Sequence, residues 1–311
     1  MEAITENKAG YVPYIDADEL RRRKGNMKLE MLSRQGTTEW NEDALIINEP
    51  LQLFGVLDGA TSLHPYRGPN NETGGYLASQ IIKQYFESLA EEDVRDTNLK
   101  QLVIQANIRL RDKMVEAGIQ LSDKTALWTS ALALIRITDH YVDYAQVGDC
   151  MIAAVYKDDT IRTVSRDQVA HIDQQSKAIW EEAIGRGISK REELWELVKP
   201  VILGNKSKMN TMEGYSILSG EPELADFIEY GRINRIQLMS LLLVTDGLFP
   251  HTESGREPED MIHQLTARIQ SDSLTAYADW LFKLESEDKD CQRYPRFKIS
   301  DDKTGISIHF E

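Results

Sequence analysis

The sequence is poor in cysteine and lacks any long apolar run. Its 311 residues include two cysteines, Cys150 and Cys291, which do not form a CxxC pair. A disulfide framework or a zinc site is therefore not expected. The longest strongly apolar stretch runs from Leu238 to Val244, which is far too short to span a bilayer. The sequence thus predicts no transmembrane helix.

Positive charge is also scarce, because 36 Lys and Arg stand against 51 Asp and Glu and give a net charge of −15. Nucleic acids and anionic membrane surfaces are themselves negative, so neither is expected as a partner. The opening residues, MEAITENKAG, have neither the basic start nor the apolar segment of a signal peptide. We therefore expect a cytoplasmic protein.

Hydrophobic periodicity predicts both helices and strands. Helices are predicted over residues 73–90 and 99–118 and within residues 171–205, and a meander of strands over residues 129–164. Gly148-Asp149 lies in this meander and is interpreted as the turn of a central hairpin. Runs of strands flanked by helix pairs, without regular βαβ alternation, favour an α+β fold.

Acidic residues border four apolar segments that have the composition of strands. Two of these segments are followed by Asp-Gly, and two others are preceded by acidic pairs. The carboxylates at these borders belong to Glu42, Asp43, Asp58, Asp246, Asp301 and Asp302. A single Asp-Gly is usually an ordinary turn. Four such borders could bring carboxylates together, and a cluster of oxygen ligands suits hard cations such as Mg²⁺ or Mn²⁺.

The order of these motifs resembles that of the metal-dependent protein phosphatases of type 2C. The matching segments are NEDA at 41–44, FGVLDG at 54–59, AQVGDC at 145–150, LLVTDG at 242–247 and DDKT at 301–304. The ordered set is far more specific than any one of its motifs. The resemblance extends over most of the chain, and the sequence is similar to a bacterial branch of the family.

The resemblance implies a four-layer α/β/β/α sandwich, in which helices flank two mainly antiparallel sheets and the metal site lies at one end. We expect one catalytic domain over residues 26–311, after a lead segment of residues 1–25. A helical flap at about residues 168–215 would lie beside the active site. The flap is the segment where this family varies, so it is a plausible determinant of substrate choice.

The resemblance also implies a set of metal ligands. Asp58 would bridge two Mn²⁺ or Mg²⁺ ions, with the carbonyl of Gly59 as a neighbouring ligand. Asp246 and Asp301 would complete the ligands of one ion, and Asp43 would serve the other. Water activated by the metals would be the nucleophile, with Asp58 and Asp246 central to catalysis and no side chain attacking directly.

Three further acidic residues have supporting roles by the same resemblance. Glu42 would act through water, and Asp302 would orient its neighbours. Asp149 would help to hold a third, weaker ion, although an Asp that only shapes a hairpin turn has the same sequence signature.

Two positions depart from the family pattern. Many members carry a phosphate-binding Arg where this chain has Thr38, and Thr cannot replace its bidentate contact. Arg34 is the nearest candidate to take over the phosphate. Eukaryotic members place a His where this chain has Ala60, so the sequence does not identify a general acid.

The leading hypothesis is a phosphoserine/phosphothreonine protein phosphatase whose partners are a phosphoprotein and a cognate kinase or its targets. A pseudophosphatase that only binds is the alternative, and the missing Arg favours it. Against it stands the complete ligand set, because carboxylates brought together without cations repel one another. A phosphatase of small molecules on the same fold is the third reading.

Overall fold

The computed structural model describes residues 27–60, 66–256 and 260–310, so the expected lead segment lies outside the described residues. The strands are Met27–Arg34 (β1), Ala44–Asn48 (β2), Leu53–Ala60 (β3), Thr129–Ile137 (β4), Tyr141–Val147 (β5), Met151–Tyr156 (β6), Ile161–Thr163 (β7), Glu229–Asn234 (β8), Leu238–Val244 (β9) and Lys303–Phe310 (β10). The α-helices are Gly74–Ser88 (α1), Glu91–Val94 (α2), Leu99–Glu116 (α3), Ala170–Gly185 (α4), Arg191–Lys206 (α5), Met261–Ser271 (α6) and Leu274–Ser286 (α7). Short 3-10 helices cover Glu49–Leu51, Pro222–Asp226 and Asp246–Leu248.

The strands form two five-stranded sheets in the orders β1-β10-β9-β6-β7 and β2-β3-β4-β5-β8. Every pairing between these strands is antiparallel. Helices α1 and α3 pack on the second sheet, and α6 and α7 pack on the first. The predicted α/β/β/α sandwich is therefore confirmed.

The main core lies between the two sheets and under helices α1 and α3. Strand β4 is buried at eight of its nine positions, so both of its faces are covered. Leu57, Leu132, Leu243 and Ile306 are fully buried within this core. Because apolar side chains fill the middle of the sandwich, polar groups are pushed to the ends of the strands.

Helix ends follow local signals in the sequence. The Thr73 side chain accepts a hydrogen bond from the Tyr76 amide and caps α1. Asn98 and Gln101 form a capping box at the start of α3. Gly118, at φ +76°, lies just beyond the end of this helix. Both predicted helices are thus confirmed, with bounds shorter by a few residues.

The predicted central meander is wrong at Gly148. Strand β5 pairs with β4 and β8, whereas β6 pairs with β7 and β9, so the chain crosses from one sheet to the other between β5 and β6. Gly148 has φ +79°, and an added Cβ would lie 2.6 Å from the Ala131 Cβ. A glycine in this conformation suits a corner between sheets as well as a hairpin turn.

The predicted strand end at Asp58 is also displaced. Strand β3 continues through Asp58, Gly59 and Ala60, which pair with residues of β4. Asp58 therefore projects from within a paired strand, because the residues before and after it also pair with β4.

Helices α4 and α5 occupy the segment predicted to be helical between residues 171 and 205. They pack against each other around Trp180, Leu194 and Val198, together with Cys291 from a later loop. Both cysteines of the chain are buried and free. None of the helices in the described ranges is long and apolar enough to cross a membrane.

Candidate metal centre

Strand register brings the predicted carboxylates to one end of the sandwich. Ala44 of β2 pairs with Leu57 of β3 in an antiparallel ladder. Asp43, which precedes Ala44, and Asp58, which follows Leu57, therefore lie at the same end of the two strands. In the other sheet Val244 of β9 pairs with Gly305 of β10. Asp246 leaves β9 and Asp301 leads into β10 beyond that pair. We call Asp43, Asp58, Asp246 and Asp301 the carboxylate cluster.

The buried carboxylates raise one another's pKa values. Burial raises the pKa of Asp43 well above its usual value, and the charges of Asp302 and Asp301 raise it further. Burial likewise raises the pKa of Asp58, with Asp246 and Asp43 adding to the effect. The pKa of Asp246 is raised by burial and then by Asp301. Ionising all of these groups together is costly unless a positive charge joins them.

Neighbouring hydrogen bonds orient the cluster. Thr245 Oγ1 donates to Asp43 Oδ2 over 2.9 Å. The buried Asp302 carboxylate accepts the backbone amides of Gly36 and Glu42, each at 2.7 Å. Asp302 therefore ties the segment before β2 to the start of β10, as expected for an orienting residue.

The glycines of the two Asp-Gly motifs allow backbones to approach the cluster. A Cβ on Gly59 would lie 2.3 Å from the Gly75 carbonyl oxygen, and one on Gly247 would lie 1.7 Å from the Asp302 carbonyl oxygen. The Gly59 amide donates to the Glu42 carbonyl over 3.2 Å. Neither glycine is therefore an ordinary surface turn residue.

The donor set suits a hard divalent cation, because it offers buried carboxylate oxygens and the carbonyl of Gly59. Within the described residues, no three His, Cys, Asp or Glu side chains already have the arrangement of a metal site. Lys298 Nζ, 2.6 Å from Asp301 Oδ1, brings one positive charge to the cluster.

Asp149, at the corner between the sheets, extends the acidic region towards α4. Its pKa is raised by burial, and then by Asp246, Asp167 and Asp173. The pKa of Asp173, on α4, is raised to about 6, chiefly by burial. Asp167 accepts the amides of Val169 and Ala170 at 2.9 and 2.8 Å and thereby holds the turn that leads into α4.

Buried amide side chains hold this corner in place. Gln168 Nε2 donates to Gln146 Oε1, and Gln146 Nε2 donates to the Gly148 carbonyl. Ser216 Oγ donates to Gln168 Oε1 over 2.7 Å. The corner that carries Asp149 is therefore fixed to the segment that follows α5.

The structure does not bring Arg34 together with the cluster. Arg34 donates to Asp279 of α7, and both side chains are partly exposed. Leu32, two residues earlier on β1, packs in the core beneath α6 and α7. Since alternate residues of a strand share a face, Arg34 lies on the helix side of its sheet. Thr38 Oγ1 donates to the Trp40 carbonyl.

Three lysines near the cluster were missed by the sequence interpretation. Lys298 contacts Asp301, and the charges of both Lys298 and Lys177 act on Asp246. Lys206, the last residue of α5, is only 7% exposed. Lys206 ends α5, and lysines at helix ends are usually solvated, so its position in the sequence gave no signal.

Comparison with known proteins identifies relatives of this chain. A sequence profile of the family described as Protein phosphatase 2C matches residues 33–283, well over half of the chain. None of the curated proteins matches. Among solved structures, a bacterial serine phosphatase aligns with a TM-score of 0.56 at 16% identity, covering 92% of this chain and 98% of that chain.

Two further structures share the fold. The serine/threonine phosphatase Stp1 from Staphylococcus aureus has a TM-score of 0.53 and 14% identity, covering 92% of this chain and 96% of its own. The catalytic domain of the serine/threonine phosphatase PstP, solved with two manganese ions, has a TM-score of 0.50 and 15% identity, covering 91% and 97% respectively. At such identity these structures establish the common fold.

Proposed function

Since the chain belongs to the protein phosphatase 2C family and is therefore a metal-dependent serine/threonine phosphatase, we propose which of its residues form the active site. Asp43, Asp58, Asp246 and Asp301, with the carbonyl of Gly59, would hold two Mn²⁺ or Mg²⁺ ions, with Asp58 as the carboxylate shared between them. The observation that supports this assignment is the convergence of buried like charges at the end of the sandwich. The two manganese ions of PstP agree with that number.

When bound, such ions supply a nucleophilic water at neutral pH and neutralise charge on the phosphoryl oxygens. The chain's own residues prepare the site. Asp302 fixes the position of Glu42 through its backbone amide. Thr245 orients the Asp43 carboxylate, and Lys298 offsets part of the charge of Asp301. No side chain attacks the phosphorus in this mechanism, so no covalent phosphoenzyme forms.

Asp149 belongs to a weaker, third ion site in this proposal. The charges of Asp246, of Asp167 before α4 and of Asp173 on α4 all act on Asp149, which supports this role. Glu42 contributes through water, and the hydrogen bond from Thr73 Oγ1 to its Oε1 orients its carboxylate.

The substrate is a phosphoprotein, presented beside the flap at about residues 168–215. The paired helices α4 and α5 have their own small core, which lets the flap vary without disturbing the sheets. A signalling role, a cytoplasmic location, a cognate kinase and the absence of membrane or nucleic-acid partners are parts of the same proposal. The net charge of −15 and the two free cysteines are consistent with it.

The test is hydrolysis of an aryl phosphate by the full chain, with Mn²⁺ and with a chelator. Activity that appears only with the metal is the expected result. No activity at any Mn²⁺ concentration would instead identify a pseudophosphatase, the alternative favoured by Thr38 at the position of the phosphate-binding Arg. A panel of phosphopeptides set against metabolite phosphates then separates a protein phosphatase from a small-molecule phosphatase.

A further inference from the structure

The last turn of α5 contains two buried nitrogen donors. Asn205 and Lys206 are 5% and 7% exposed. Asn205 Nδ2 and Lys206 Nζ have no hydrogen-bond partner in the part of the chain that the structure describes. An ammonium removed from water without a partner is costly, and two adjacent buried donors of this kind call for an acceptor, ideally an anion.

Lys206 lies towards the metal end of the sandwich, because the segment that follows α5 reaches the corner beside Asp149, where Ser216 Oγ accepts the Gly148 amide over 3.2 Å. Burial lowers its pKa, and the negative charge of Glu42 raises it again. Glu42 immediately precedes Asp43, and its Oε1 would lie 2.8 Å from a Cβ on Gly75, in the first turn of α1. The ammonium of Lys206 is therefore in electrostatic reach of the segment that supplies the metal ligands.

The other cations of this region are already committed or remote. Lys298 pairs with Asp301, and Arg34 pairs with Asp279. Lys177 is exposed on α4. At Thr38, where relatives carry a phosphate-binding Arg, the side chain bonds to the backbone of Trp40. Among these groups Lys206 is the cation that still lacks a hydrogen-bonded partner.

We propose that Lys206, assisted by Asn205, binds the phosphoryl oxygens of the substrate. This inference rests on the proposed function. A phosphate monoester offers several charged acceptor oxygens, and an ammonium contacts them as a compact point charge. Since Nζ is covered, phosphate binding would require the four-carbon stem of Lys206 to turn out from the last turn of α5. Phosphate recognition would thereby move from the connection between β1 and β2, which contains Thr38, to the end of the flap.

The competing role for Lys206 is that of a permanent counter-charge to Glu42. The two roles predict opposite effects of removing the ammonium. A counter-charge stabilises the fold, so its loss lowers the unfolding midpoint. An uncommitted buried ammonium destabilises the fold, so Lys206→Met leaves the midpoint unchanged or raises it.

The experiment compares Lys206→Met with Lys199→Met, a matched change on the same helix at an exposed lysine. Inorganic phosphate is titrated calorimetrically into the Mn²⁺-loaded full chain. We expect the phosphate Kd to rise about 10- to 100-fold in Lys206→Met and to stay constant in Lys199→Met. Asn205→Ala, which keeps the ammonium, should raise this Kd only a few-fold. With phosphopeptide, KM should rise more than kcat falls.

An unchanged phosphate Kd in Lys206→Met overturns the inference, as does a variant that fails to fold or has a lowered unfolding midpoint in chelator. The measurements also separate this inference from the proposed function. If the wild type hydrolyses aryl phosphate and Lys206→Met matches its control, only the inference fails. If the wild type is inactive with Mn²⁺ but binds phosphate through Lys206, the proposed function fails and the binding site stands.

Discussion

Two groups of buried charges meet near the start of β10. They differ in whether the protein itself supplies opposite charges and hydrogen bonds to them. In the carboxylate cluster, burial and like charges raise the pKa of Asp43, Asp58 and Asp246. In the second group, which we call the Glu285 network, one carboxylate meets several donors. Burial raises the pKa of Glu285, but His251, Lys303 and Ser300 outweigh it and hold that pKa below its usual value.

The Glu285 network is complete without any added ion. Glu285 is 1% exposed, and Lys303 Nζ lies 2.9 Å from its Oε2. Ser300 Oγ donates to the same oxygen over 2.6 Å. Lys303 also donates to the Asp301 carbonyl over 3.0 Å. The Glu285 network therefore stabilises the fold and holds the segment that contains Asp301. The carboxylate cluster retains the repulsion that a cation would relieve.

The largest effect is expected from Asp58→Asn. A neutral amide cannot bridge two cations, so metal-dependent kcat should fall more than the 10- to 100-fold typical of residues that only orient ligands, by about 10³-fold or more. The free energy of unfolding in chelator should stay constant or rise by about 1 kcal/mol, because repulsion is relieved. Aryl phosphate kinetics and denaturant unfolding measure the two quantities.

Glu285→Gln is the matched control for that change, since it also converts a buried carboxylate into an amide. It should lower stability and leave the kcat of the folded protein within a few-fold of the wild type. If Asp58→Asn keeps near-normal turnover, Asp58 does not belong to the site.

Breaking the Glu285 network from its cationic side should cost stability. Lys303→Met leaves Glu285 buried with its main counter-charge gone, and we expect a loss of about 3–5 kcal/mol in the free energy of unfolding. Urea denaturation measures this loss. Lys83→Met, which breaks the partly exposed pair with Glu87, should cost no more than about 1 kcal/mol. Equal losses in the two variants would contradict the structural role assigned to the network.

Local patterns predicted much of this molecule. The apolar runs were sufficient to predict strands, helices and an α+β fold, because each run is read from neighbouring residues, whereas the four-layer sandwich was implied by the resemblance in motif order. The corner at Gly148 was mistaken for a hairpin because a positive φ fits both. What distinguishes them is the pairing of β5 with β8, which lies far along the chain.

The candidate site was also predicted only in part from the sequence. Motif order was sufficient to propose Asp43, Asp58, Asp246 and Asp301, whose carboxylates the strand register then brings to one end. Lys206 was missed, because its burial depends on how the end of α5 packs against distant segments. A lysine that closes an amphipathic helix has the same local sequence whether it is solvated or buried.

The pH dependence of stability should have opposite signs for Asp173, in the acidic region beside the carboxylate cluster, and for Glu285. Asp173 has its pKa raised from 3.8 to about 6, so its stabilising contribution is complete below the unfolded pKa and is lost as the pH rises through about 6. Glu285, whose pKa is lowered, contributes above its unfolded pKa and loses that contribution in acid.

Asp173→Asn should therefore stabilise the chelated protein by about 1–2 kcal/mol above about pH 7, after allowance for solvent screening. This gain should vanish below about pH 4. Unfolding curves across this range measure it, with Glu181→Gln at an exposed position of α4 as the control. A gain that is independent of pH would show that Asp173 does not titrate as its burial implies.

The smallest effect concerns Arg34, and it bears directly on which cation holds phosphate. Arg34 pairs with Asp279 at the surface, so Arg34→Ala should change the free energy of unfolding by less than about 1 kcal/mol. Because this pair lies on the helix side of the sheet, KM for phosphopeptide should stay unchanged, whereas Lys206→Met raises it. A KM that rises in Arg34→Ala with little change in kcat would instead support the sequence-based prediction that Arg34 reaches the phosphate. Asp279→Ala separates the two cases, since releasing Arg34 from its partner would then improve phosphate binding.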